Sequence, residues 1–232
     1  MKKILILILI ILSTSCASRK DLIEIKKELS SLKDSLSYLN EDIKNKNLLI
    51  GTSNRPKTEN LHIATYIGAG AGENNDRGES VFIGNNAGRN STDQNSVFIG
   101  VNTGYFSKGY GNVVIGNYSG GGLIGQNNVI VGKSAQVKKG DNNIIIGTHA
   151  GREHGSFSNK LIIESSESTK PLIYGDFEKD IITFNAITTI NGYLNLKPLN
   201  IPPKKPEIGC IYFDSKSKKI KYWNGENWTI IE

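Results

Sequence analysis

The sequence predicts a mainly β protein in which an N-terminal coiled-coil helix leads into a parallel β-solenoid or β-roll of six ~16-residue repeats and then a small C-terminal β-meander. Three observations predict this. A Leu/Ile heptad runs through residues 22–50, a branched aliphatic residue followed by glycine recurs at nearly constant spacing from 67 to 147, and β-branched and aromatic residues alternate around Asn224-Gly225 at the end of the chain.

Residues 1–16 read as an export signal. Lys2 and Lys3 form a charged start, Ile4 to Leu12 are uninterrupted aliphatics too few to span a bilayer, and Ser13-Thr14-Ser15 place small residues before Cys16. The arrangement resembles bacterial lipoprotein signals, which implies cleavage before Cys16 and acylation of that cysteine. It departs from the common motif in having Ser13 three residues before the cysteine, with Leu12 one place further back. Acylation would leave Cys210 without an intrachain partner and excludes a disulfide scaffold.

Residues 17–50 are expected to form the stalk. Leu22, Ile25, Leu29, Leu32, Leu36, Leu39 and Ile43, with Ile50 beyond, alternate spacings of three and four, and charged residues fill the other faces. Such a narrow seam pairs with copies of itself more readily than with a globular core, the alternative being a helix folded back on the head. Residues 51–61, polar and containing Gly51 and Pro56, are the expected neck.

The head is expected over 62–157. The repeat corners are Gly68, Gly84, Gly100, Gly116, Gly132 and Gly147, each preceded by Ile or Val; a small residue follows each, as in Ala87-Gly88, and a polar one precedes each strand: Ser80, Ser96, Asn112, Asn128 or Asn143. Units this short cannot bury their own apolar face, so they must stack, giving a coil about 29 Å long for six rungs at 4.8 Å each. Tyr66, Phe82, Phe98, Val114, Ile130 and Ile145 alternate with flanking Val and Ile, so one face fills the coil and the other forms an apolar stripe outside it. A stripe of that size asks for self-association.

Asn95-Ser96-Val97-Phe98-Ile99-Gly100 resembles the head repeats of trimeric autotransporter adhesins, over roughly residues 63–152. The resemblance implies a trimeric β-roll and an adhesive role. The unit here is longer than the family's, and the anchor would be N-terminal lipid in place of a C-terminal barrel. The same repeats occur in phage tail-fibre-like proteins, which stands as the alternative.

Residues 158–197 contain strand-like runs at 160–164, 171–174, 181–184 and 187–190 and are expected to extend the solenoid. The Pro-rich stretch 198–207 is a linker. Residues 208–232 predict a three-stranded meander resembling the C-terminal modules of bacterial and phage fibre proteins, with Cys210 a small buried residue at its start.

No enzyme is expected. The acidic residues are dispersed, no nucleophile elbow is present, Gly68-Ala69-Gly70-Ala71-Gly72 belongs to the repeat and not to a phosphate loop, and His62, His149 and His154 lack metal-ligand spacing and are expected at the surface. No cofactor or metal is called for. Net charge is +6, but Lys2, Lys3, Arg19 and Lys20 supply four of those charges beside the signal, so no clustered nucleic-acid footprint exists. The expected partners are copies of the chain, as a homotrimer, a membrane through lipid, and an extracellular protein or glycan. The expected location is the outer membrane or cell surface.

Overall fold

A computed structural model describes residues 23–34, 48–50, 64–75 and 77–231. Cys16, Leu22, Leu36, Leu39, Ile43 and the neck at 51–61 lie outside the described residues. Two compact units are present, 1–186 and 187–232.

The first unit is a parallel β-solenoid. Its main sheet is built from β1 (Leu48–Ile50), β2 (Thr65–Ile67), β3 (Val81–Ile83), β4 (Val97–Ile99), β6 (Val113–Ile115), β8 (Val129–Val131), β9 (Ile144–Ile146) and β10 (Lys160–Ile163), all parallel and in unbroken register. Between rungs the chain also forms β5 (Lys108–Tyr110) and β7 (Ile124–Gln126), which pair in parallel as a second sheet on another side of the coil. Single bridges Gln94 to Tyr110, Ile124 to Lys139 and Lys139 to Ser156 extend this second sheet across further rungs.

The central residue of each main-sheet strand points inward, and its neighbours point out. Tyr66, Phe82, Phe98, Val114, Ile130, Ile145 and Ile162 are essentially solvent-free and form one continuous core with Ala71, Ala87 and Leu123. The Tyr66, Phe82 and Phe98 rings stack at 4.9 Å centroid spacing, nearly parallel, as the rung rise dictates. Burying a ring of this kind stabilises the coil by roughly 3 kcal/mol.

Ser80, Ser96, Asn112, Asn128 and Asn143, the polar residues before β3, β4, β6, β8 and β9, are buried too. Asn128 Nδ2 donates to Asn112 Oδ1 (3.0 Å) and to the Gly140 carbonyl (2.8 Å), while Asn128 Oδ1 accepts from the Asn143 N–H (3.1 Å) and Nδ2 (2.9 Å). The same ladder continues downwards through Ser96 Oγ, which accepts from the Asn112 N–H at 3.1 Å. Each buried amide is therefore satisfied by the next rung, so the polar column tightens the stack.

Three expectations are corrected. Leu48–Ile50 is a strand parallel to β2, not the end of a helical stalk; Leu49 packs on the core, and among the described residues helix occupies only 23–34 and a single 3-10 turn at Arg152–His154. The segment after 158 extends the coil only through β10. β11 (Ile173–Asp176) and β12 (Ile181–Phe184) then run antiparallel, because Glu164 gathers the Ser165 N–H, the Ser166 hydroxyl and the Leu172 N–H and reverses the chain. Residues 187–190 form no strand, and Ile187 is 98% exposed.

The second unit is an antiparallel three-stranded meander of β13 (Ile211–Asp214), β14 (Lys219–Trp223) and β15 (Trp228–Ile230). Trp228 packs edge-on to Tyr212 (4.6 Å) and at a tilt to Trp223 (5.5 Å), and Tyr212 is buried. Asp214, also buried, accepts from Lys221 Nζ (2.6 Å), Ser217 Oγ (2.7 Å) and the Lys216 N–H (3.1 Å). Cys210 precedes the first strand and is exposed with a free thiol, contrary to its expected burial; the aromatic residues fill the small core instead.

Candidate interaction surface

The outward positions of the main sheet form two aliphatic columns. Val81, Val97, Val113, Val129 and Ile144 share one; Ile83, Ile99, Ile115, Val131 and Ile146 share the other. In-register pairing brings each residue over its equivalent one rung away, so neighbours shield one another laterally and most are half-buried; Val129 and Ile146 are the most open. Ten aliphatic side chains on one flat face make an uninterrupted apolar stripe parallel to the coil axis. A sheet face covered by water on this scale is uncommon in a monomer.

The glycines after the strands set how closely the rungs approach. Gly68, Gly84, Gly100, Gly116, Gly132 and Gly147 all have φ between +120° and +139°, a region open in practice only to glycine. A Cβ on Gly84 would lie 2.5 Å from the Gly100 carbonyl oxygen, so the side chain is excluded by the next rung as well as by the backbone angle. Other left-handed corners in each rung fall largely to asparagine, for example Asn86 and Asn102, whose amides join at 3.2 Å along the coil.

Of the proposed seam residues, the described ones are Ile25, half-buried, and Leu29 and Leu32, which are 39% and 67% exposed. The helix thus presents an apolar seam to solvent. His149 and His154 are both half-buried where surface positions are expected: His149 stands 3.4 Å from Glu167, and His154 packs against Phe157 and Tyr174. His62 lies outside the described residues. Among the described residues no three His, Cys, Asp or Glu side chains gather as a metal site, and no helix is long and apolar enough to cross a membrane.

A buried carboxyl, Asp93, sits inside the coil beside the Ser/Asn column. Burial pushes it above its ordinary value, opposed by hydrogen bonds from Ser107 Oγ (2.5 Å), Asn112 Nδ2 (3.0 Å) and Ser96 Oγ (3.3 Å). It replaces the glycine found at this place in later rungs, Gly109 and Gly125, and is enclosed on every side, so it acts as a packing element. Among the described residues its side-chain partners are Ser96, Ser107 and Asn112.

Sequence reasoning overlooks the first rung, while the run at 160–164, expected to extend the solenoid, is the last one. Asn47-Leu48-Leu49-Ile50-Gly51 matches Asn112-Val113-Val114-Ile115-Gly116 and lies 17 residues ahead of Gly68, yet the heptad absorbs Ile50. Asn159 to Ile163 matches at the other end, but Glu164 stands where glycine is expected. Comparison with protein-family models, with curated proteins and with solved structures gives no match.

Proposed function

We propose that this chain is an exported, lipid-anchored fibrous protein, adhesin-like, that assembles as a parallel homotrimer and presents its repeats to an extracellular protein or glycan. The observation that carries the reading is the continuous aliphatic stripe on the main sheet, which three copies related by a common axis would remove from water. The exposed helical seam over 23–34 supports the same geometry, since a parallel coiled coil and a parallel coil of sheets share one axis. Binding through repeated loops on identical copies gains strength from multiplicity and needs no deep pocket. The first sixteen residues support export, with Cys16 as the lipid acceptor.

The experiment has two readouts on intact cells. A labelled fatty acid is expected to enter the wild-type chain and not Cys16→Ala, and amine cross-linking is expected to yield a band at three times the chain mass. An unlabelled, uncrosslinked wild type would contradict the proposal. A second reading, a phage tail-fibre-like structural component, is favoured by the terminal meander with its Tyr222-Trp223-Asn224-Gly225 turn. It is separated by the label, because a virion component needs no acylation at Cys16.

A further inference from the structure

The second sheet carries an open groove of about 720 Å³ that crosses the rungs. Its floor is the main chain of Gly109, Gly125 and Gly140, the column that faces into the coil as Asp93 does one rung earlier, while the exposed residues on either side of that column form the walls. One side is a column in strict register: Thr92, Lys108, Ile124, Lys139 and Ser156 occupy successive rungs. Lys108 and Lys139 therefore stand two rungs apart, about 9.6 Å, with the exposed Ile124 between them.

Neither lysine, nor Arg77 at one end of the groove, joins an ion pair among the described residues. Asp141, the only carboxylate among the described lining residues, already accepts from the Gln126 N–H at 2.8 Å. The groove is thus a straight track with charge, apolar surface and charge at one-rung intervals. Exposed Tyr110 adds a ring to the wall, a surface suited to a sugar face.

We propose that this groove binds a linear acidic polysaccharide whose carboxylate or sulfate groups fall on alternate sugars. The rung rise is about the length of one pyranose, so an acidic sugar at each lysine leaves a neutral sugar over Ile124. Nucleic acid fits less well, because stacking needs aromatics on successive rungs and this column supplies none. Sharp corners, with Gly111, Asn127 and Asn142 left-handed, put the groove and the aliphatic stripe on different sides of the coil. The inference deepens the glycan part of the proposed function and does not depend on the trimer.

The test uses the full chain purified in detergent, with hyaluronan oligosaccharides, polygalacturonate and oligothymidylate as probes in binding isotherms. Hyaluronan, acidic on alternate sugars, is expected to bind most tightly, with at least tenfold weaker binding to the double variant Lys108→Gln/Lys139→Gln at unchanged circular dichroism. Absence of hyaluronan binding, equal binding by the variant, or equal affinity for either of the other two polymers would overturn the proposal. The native mass of the same samples is read alongside, so a monomer that binds hyaluronan sinks only the trimer, and a trimer that does not bind sinks only the groove.

Discussion

A Cβ at Gly100 would sit 2.7 Å from Thr103 Oγ1 and 2.8 Å from Gly116 backbone atoms, at φ +133°. Gly100→Ala is therefore expected to cost about 3 kcal/mol in chemical denaturation, combining backbone strain with a forced separation of rungs. Gly122→Ala is the control: its φ is +67° but nothing stands within 4 Å, so only the left-handed penalty of about 1 kcal/mol applies. Equal losses would show that rung contact does not select the corner glycines. Asn128→Ala removes two donated bonds and leaves the Asn143 backbone N–H without its acceptor, with an expected loss of about 3 kcal/mol despite the absence of any apolar deletion. The glycine period was legible in the sequence because only glycine tolerates these angles. The Ser/Asn column was legible as a pattern, but its burial was not, since polar residues before a strand read equally well as turn formers.

At the scale of elements, the terminal meander makes the sharpest prediction. The Asp214 carboxyl is held well below the usual carboxylate range by the Lys221 ammonium, then by the Ser217 hydroxyl and the Lys216 N–H, with burial opposing them. A depressed folded-state value contributes stability that is present above the unfolded carboxylate value and is lost as pH falls through the folded one. Acid is therefore expected to loosen the meander below the ordinary aspartate range, and Asp214→Asn to remove that acid-dependent part while lowering stability at neutral pH. Both tryptophans of the chain, Trp223 and Trp228, lie in this unit, so their fluorescence reports it without interference from the coil. The meander was readable to within a residue because its turn chemistry and alternation agree. The first rung at Leu48–Ile50 was not, because Leu and Ile satisfy a heptad and a three-residue strand alike. The antiparallel turn-back at β11 was also hidden, for it depends on Glu164 capping N–H groups up to eight residues away.

For the whole molecule, everything turns on the aliphatic stripe. The core and the register explain a stable coil, and the ten outward Val and Ile residues, which shield one another only from rung to rung, leave the rest of their surface in water among the described residues. Sequence alternation foretold two apolar faces but not which one turns inward; the aromatic and bulky central residues won because stacked rings fill a coil of this width. The measurement that tests the central claim most directly is sedimentation equilibrium of the full chain in detergent, beside Val97→Lys/Val113→Lys. The account predicts three copies per particle for the wild type and a lower mass for the variant, whose circular dichroism stays that of a folded coil. A wild type of one chain per particle would contradict it.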